Sequence, residues 1–212
     1  MNMTTIYLAG DSTVSSYPDR PVQGGWGEFL HRYTAHGVNV ENRAIGGRSS
    51  KTFIEEGRLD DILADIQPGD WLFTQMGHND ASKEKPERHT DPFTTYKSYL
   101  SQYIHGARAK GATPLLLTPV GRFHEKDGEF INDFPDYCAA MKELADEEEV
   151  LLVDLNTASL QFYQISGIEK TTSYFMLSTG IEDRTHFTKK EGADAIARLV
   201  SLELKDLGLT IV

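Results

Sequence analysis

Short apolar runs of strand length alternate with amphipathic segments of helical period along the chain, and this alternation constrains the fold most. Residues 6–9, 38–41, 71–76, 114–118 and 150–155 are nearly continuous in apolar character, as strands buried on both faces should be. Between them, Trp26, Phe29, Leu30 and Tyr33 share one helical face that stops near Gly37. Leu59, Ile62, Leu63 and Ile66 follow the i, i+3, i+4, i+7 pattern. Phe93, Tyr96, Leu100, Tyr103, Ile104 and Ala107 form a longer stripe, opened by Asp91-Pro92 and closed at Lys110-Gly111. Phe134, Tyr137, Cys138, Met141 and Leu144 mark another helix. In the last one, Thr188 and Glu191 have capping-box spacing ahead of Ala193, Ile196, Ala197, Val200, Leu204 and Leu207.

A β-α unit repeated five times predicts an α/β fold, a parallel sheet with helices on both faces joined by right-handed crossovers. The length of 212 residues favours one domain over 1–212. Ligands of such folds bind beyond the carboxyl ends of the strands, near the point where strand order reverses. Function is therefore to be sought in the residues just after each strand. Residues 121–132 and 166–183 read as irregular, polar stretches that could rim a site.

Asp plus Glu is 32 against 21 Lys plus Arg, a formal charge of −11. That field argues against a general nucleic-acid binder, which needs a basic face. The single cysteine, Cys138, excludes an internal disulfide and reads as a buried, inert thiol. No apolar run approaches the ~20 residues of a membrane span. Met1-Asn2-Met3-Thr4-Thr5 has no basic or long apolar leader character, so a cytoplasmic protein is expected.

The post-strand loops carry the chemistry. Gly10-Asp11-Ser12-Thr13 follows the first strand and would place Ser12 at the mouth of the sheet, near a helix N-terminus. A simple cap or a phosphate cradle are its alternatives. Asn42-Arg43-Ala44-Ile45-Gly46-Gly47-Arg48-Ser49 follows the second strand, and its paired glycines suit a turn or a backbone N–H aimed at a ligand oxygen. Gly77-His78-Asn79-Asp80 follows the third, where an Asn amide can donate to an oxyanion or make an Asx-turn. Asp183-Arg184-Thr185-His186 precedes the last helix, and an Asp three residues before a His can orient the imidazole. Each signal is weak alone. Together they supply a hydroxyl nucleophile, oxyanion donors, a base and its orienter at one sheet edge, the parts of an acyl-transfer site.

These blocks resemble those of the SGNH (GDSL-type) hydrolases. Tyr7-Leu8-Ala9-Gly10-Asp11-Ser12-Thr13, Gly25-Trp26-Gly27-Glu28, Ala44-Ile45-Gly46-Gly47-Arg48-Ser49 and Glu56-Gly57-Arg58 resemble the rhamnogalacturonan acetylesterase branch more closely. The resemblance is dense over residues 4–80, returns over 113–119 and 183–195, and is loose elsewhere. It implies a three-layer α/β/α sandwich with a five-stranded parallel sheet, flavodoxin-like in architecture. It also implies a serine esterase that deacetylates rhamnogalacturonan oligosaccharides. Ser12 would be the nucleophile, His186 the base and Asp183 its orienter. The N–H groups of Ser12 and Gly47 and the Asn79 side chain would form the oxyanion hole, with no metal and no cofactor required.

Other residues have plainer readings. Asp11 holds its turn, Trp26 belongs to the core, and Glu147-Glu148-Glu149 is a solvated helix end. His78 packs or contacts substrate, and Arg48, Arg122, His124 and Arg184 are surface charges or, as a group, a site for uronate carboxylates. The expected partner is an acetylated oligosaccharide, with no nucleic acid and no membrane; oligomeric state is left open. Two alternatives stand beside the acetylesterase: an SGNH esterase acting on another acetylated sugar, a lipid or a thioester, and a non-enzymatic flavodoxin-like binding module. The polar stretch 121–132 suits a sugar, and no long apolar lid favours a lipase.

Overall fold

All five strand-length runs pair into one sheet. In the computed structural model, which describes residues 4–212, they are β1 (Thr4–Gly10), β2 (Val38–Asn42), β3 (Trp71–Gln75), β4 (Thr113–Leu117) and β5 (Leu151–Val153). They lie in the order β2-β1-β3-β4-β5, every neighbouring pair parallel. The leader expectation falls partly on residues 1–3, which lie outside the described residues. Among the described residues no helix is long and apolar enough to cross a membrane.

The two-residue period of a strand sends successive side chains to opposite faces, and each face has its own core. Ile6 and Leu8 of β1, Phe73 of β3 and Leu115 and Leu117 of β4 pack on one face. Opposite them lie Trp26, Leu155 and Tyr163 of α5 (Leu155–Ser166), Tyr174 of α6 (Ile168–Tyr174) and Ile196 and Val200 of α7 (Asp194–Asp206). Tyr7, Ala9, Leu72 and Leu116, one residue along, pack on the other face. They meet Phe53 of α1 (Ser50–Glu55), Ile62 of α2 (Arg58–Asp65), Leu100 and Tyr103 of α3 (Lys97–Ala109) and Met141 of α4 (Pro135–Glu147). Three layers result, helices on both sides of the sheet. The central strands are buried beyond their first residues; β2 is half-exposed and Leu151 of β5 is exposed, as sheet edges are.

Several local expectations are corrected. The segment bearing Trp26 to Tyr33 is not an α-helix but two 3-10 turns, Trp26–Glu28 and Leu30–Arg32. Its entry is pressed against the first site loop: a Cβ on Gly25 would fall 2.3 Å from the Ser15 carbonyl oxygen. The Trp26 N–H is committed to the Thr13 carbonyl at 2.9 Å. Tight turns bury the same apolar face without a continuous ladder. Residues 166–183 are mostly helical, holding α6 and the 3-10 turn Met176–Thr179, because Thr171 and Tyr174 have core partners.

Two helix entrances differ in detail. Asp91 caps as expected, accepting from Thr94 N at 3.1 Å. The turn that follows, Pro92–Tyr96, is a wide π-type turn that rotates Phe93 off the buried stripe and leaves it 46% exposed. Thr188 likewise caps a π-type turn, Lys189–Ala193, by accepting from Gly192 N at 3.2 Å. No capping box forms, because the wider turn puts Gly192 and not Glu191 before the Thr188 oxygen; Glu191 pairs with Lys170 instead. The acidic run at the end of α4 is not merely solvated. Glu147 pairs with Lys97, and Glu148 with His105 and Arg108, all three on α3.

Candidate active site

Four loops converge beyond the carboxyl ends of β1, β2, β3 and β4, around the place where strand order reverses between β1 and β3. Ser12 leaves β1 in a single turn in which the N–H groups of Val14 and Ser15 both donate to the Asp11 carbonyl, at 3.2 and 3.0 Å. No helix starts there, so the expected helix N-terminus beside Ser12 is absent; the chain instead extends toward Gln23–Gly24. Tyr17 Oη donates to the Ser12 carbonyl at 2.9 Å and fixes that turn from outside. Lys189 Nζ in turn donates to the carbonyls of Tyr17 and Arg20, at 2.6 and 3.0 Å.

His186 arrives from the other end of the chain. It is held because Phe187–Thr188 pairs antiparallel with Gln23–Gly24. Its Nε2 lies 2.9 Å from Ser12 Oγ, and its Nδ1 lies 2.8 Å from Asp183 Oδ2. Asp183 Oδ1 accepts from the backbone N–H groups of Thr185 and His186, both at 3.0 Å. Burial alone would raise the Asp183 carboxyl; those N–H groups and the imidazole outweigh it and hold the carboxyl below its ordinary value. A permanent carboxylate on Nδ1 obliges that nitrogen to carry its hydrogen, which leaves Nε2 as the acceptor facing Ser12.

Gly47 has φ 81°, the left-handed region where a side chain is strained. Among the described residues, the backbone N–H groups of Ser12 and Gly47 make no hydrogen bond. Asn79 Nδ2 donates one hydrogen to the Arg48 carbonyl at 2.8 Å, tying the β3 loop to the β2 loop. These donors line a cavity of about 530 Å³ with Ser12 and His186. Such a set, beside a hydroxyl bonded to an oriented imidazole, can stabilise the oxyanion of acyl transfer.

Beneath the cavity runs a buried chain of hydrogen bonds. Trp26 Nε1 donates to Gln75 Oε1 at 2.9 Å, and Gln75 Nε2 to Thr13 Oγ1 at 2.7 Å. Thr13 Oγ1 donates to Asp11 Oδ1 at 2.8 Å. His78 Nδ1 lies 3.0 Å from Asp11 Oδ2, and His78 Nε2 lies 2.9 Å from the Val120 carbonyl. The partners of both ring nitrogens of His78 are oxygens of the protein. Burial works to raise Asp11, but His78 and Thr13 together hold it below the ordinary carboxylate range. Asp11 thus does hold the turn, and His78 is an anchor between loops, its nitrogens spent on protein partners. Trp26 and Cys138 are core residues, and burial pushes the Cys138 thiol up to about 12.

The residues expected to meet substrate divide sharply. Arg122 and His78 line the cavity. Arg48 does not; its Nε is paired with Glu56 at 3.0 Å and its Nη1 donates to the Gly46 carbonyl. His124 is turned to Asp133 at 2.5 Å, and Arg184 to Glu182 at 2.6 Å. A nearby carboxylate claims each of them. Residues that sequence reading missed stand in their place: Tyr17, Arg20, Ser82 and Arg88 all line the cavity. Nothing in the local sequence around Arg20 or Arg88 marks them, because what sets them apart, the lack of a carboxylate partner among the described residues, arises only in three dimensions. Among the described residues, no group of three or more His, Cys, Asp and Glu side chains is placed to hold a metal ion.

Comparison with known proteins agrees with this geometry. Residues 6–200 match the family described as GDSL-like lipase/acylhydrolase. The chain is 63% identical over 206 residues to the probable rhamnogalacturonan acetylesterase YesY of Bacillus subtilis, covering 97% of this chain and 94% of that one. It is 38% identical to the rhamnogalacturonan acetylesterase RhgT of the same organism, covering 97% and 91%. The crystal structure of B. subtilis YxiM superposes with a TM-score of 0.87 at 34% identity, covering 99% of this chain and 58% of that one.

Proposed function

The chain belongs to the GDSL-like lipase/acylhydrolase family, and on that premise we propose that it is a serine esterase that removes O-acetyl groups from rhamnogalacturonan oligosaccharides. The observation that carries the proposal is the continuous Asp183–His186–Ser12 arrangement, with contacts of 2.8 and 2.9 Å across 174 residues of sequence. The names of YesY and RhgT support the substrate.

The chemistry follows from the atoms. Ser12 Oγ attacks the acetyl carbonyl while its proton passes to His186 Nε2. The Ser12 and Gly47 N–H groups and the Asn79 amide receive the tetrahedral oxyanion. Collapse breaks the bond to the sugar oxygen, which takes the proton from His186, and leaves acetyl-Ser12. Water then gives its proton to His186 and attacks the acetyl group, releasing acetate and restoring Ser12. Asp183 keeps Nδ1 protonated throughout and stabilises the imidazolium that forms in each half.

The cavity lining favours a polar alcohol over a lipid. Among the described residues its walls are Ser, Gly, Asn, Gln, Thr, His, Asp, Arg and one Tyr, with no aliphatic side chain to receive a long acyl group. Hydrolysis of 4-nitrophenyl acetate, butyrate and octanoate tests this. The expected result is a steep fall in kcat/KM beyond acetate; an equal or rising rate with chain length would favour a lipid-directed esterase.

A further inference from the structure

Resting on the acetylesterase reading above, we propose that Arg20, Arg88 and Arg122 are the specificity-determining residues of the Ser12 cavity, the ones that read the uronate carboxylates of such an oligosaccharide. The protein is rich in acid, and most of its arginines are consumed by it. Arg32, Arg43, Arg48, Arg58, Arg108 and Arg184 each lie within 4.0 Å of an Asp or Glu oxygen. Among the described residues, Arg20, Arg88 and Arg122 have no such partner, and all three line the Ser12 cavity. Arg198, the remaining one without a carboxylate, lies elsewhere, beside Tyr33 and Leu202. With 32 acidic residues in the chain, leaving three unneutralised arginines around one cavity is a placed feature.

The three are held in position by uncharged groups. Arg122 stacks on the Phe134 ring, 4.9 Å from its centroid. Its backbone is fixed because Gly121 N donates to Ser159 Oγ at 2.9 Å and Phe123 N to the Arg184 carbonyl at 2.8 Å. Arg88 reaches only the Gly47 carbonyl and Ser82 Oγ, each at a long 3.4 Å. Arg20 lies over the Tyr17 ring and donates to Gln23. The Nε atoms of Arg88 and Arg122 are buried with no hydrogen-bond partner. A half-buried guanidinium with unused donors is costly without an anion, and a carboxylate fits its fork.

Geometry ties this subsite to the scissile bond. Arg88 Nη1 lies 3.8 Å from where a Cβ on Gly47 would stand, so this cation borders the proposed oxyanion loop. A carboxylate held by Arg88 therefore lies beside the Gly47 loop, and Arg122 lines the same cavity as Ser12. Among the described residues Asp183 is the one acidic residue of the cavity wall, and its oxygens are occupied by His186 and Thr185. A reaction that frees uronate carboxyls, such as hydrolysis of a uronate methyl ester, would have to act before this enzyme wherever those carboxyls are esterified.

The test compares an acetylated rhamnogalacturonan oligosaccharide with the same oligosaccharide after chemical reduction of its uronate carboxyls. The readout is the ratio of kcat/KM for the two, which cancels general damage to the enzyme. Wild type should favour the acidic form at least tenfold, mainly through KM, with a preference that weakens as salt rises. Arg122→Gln and Arg88→Gln should each move the ratio severalfold toward one, and Arg122→Lys should keep part of it. Equal rates of wild type on both forms would overturn the subsite alone. So would variants that lose activity on both forms equally, the signature of a role in oxyanion binding or structure. No acetate from either form, by an enzyme active on 4-nitrophenyl acetate, would overturn the carbohydrate reading and this subsite with it.

Discussion

Asn79 shows how much one side chain does in this site. One amide hydrogen goes to the Arg48 carbonyl and so fixes the Gly47 loop; in the proposed mechanism the other serves the oxyanion. Replacing Asn79 by Ala should lower kcat by roughly 10²–10³, as loss of one oxyanion donor does elsewhere, with little change in KM. A variant whose KM rises while kcat holds would place Asn79 in substrate binding instead. The residues that the structure brings together around Ser12 were legible in the sequence because each sits in a short block whose chemistry is local: Gly10-Asp11-Ser12, Gly77-His78-Asn79-Asp80 and Asp183-Arg184-Thr185-His186. Of the cavity arginines, Arg122 was singled out from the sequence, but Arg20 and Arg88 were not. Whether an arginine is free for a ligand depends on which carboxylate lies opposite it, and sequence does not pair Arg48 with Glu56 or leave Arg88 unpaired.

At the scale of elements, Asp80 is the pin that holds the site loops together. Its carboxylate accepts from Ser50 N and Ser50 Oγ at the start of α1, and from Thr90 Oγ1 at the end of the loop that carries Arg88. Its carbonyl accepts from Tyr137 Oη of α4 at 2.9 Å. Burial pushes the Asp80 carboxyl up to about 6, against the pull of those donors. A carboxyl raised on folding stabilises the fold fully below its unfolded value of about 3.9, and the contribution is lost as pH rises through the folded value. The Tm of wild type relative to Asp80→Asn should therefore fall between about pH 4 and about pH 6 and level off above. A difference that stays constant with pH would show that Asp80 does not titrate in this range. The long helical stripes of α2, α3, α4 and α7 were readable because many periodic positions agree. Residues 26–33 were not, since four apolar positions suit a 3-10 pair as well as a helix and the deciding contact comes from the distant Ser15 backbone.

For the molecule as a whole, the sheet order puts Ser12 after β1 and Asn79 after β3, on the two sides of the strand reversal, and brings His186 back to them from the last connection. A chain of net charge −11 nevertheless keeps a cationic cavity. At physiological salt surface fields fade within about 8 Å, so the local arginines rather than the net charge act on a bound sugar. Five alternating strand and helix signals were enough to read this architecture, because a parallel sheet with helices on both faces is the arrangement that buries them all. The most direct measurement is acetate release from an acetylated rhamnogalacturonan oligosaccharide by wild type and by Ser12→Ala. Wild type should release acetate, and Ser12→Ala should be slower by roughly 10³-fold or more. Comparable rates from the two proteins, or no acetate from wild type, would contradict the account.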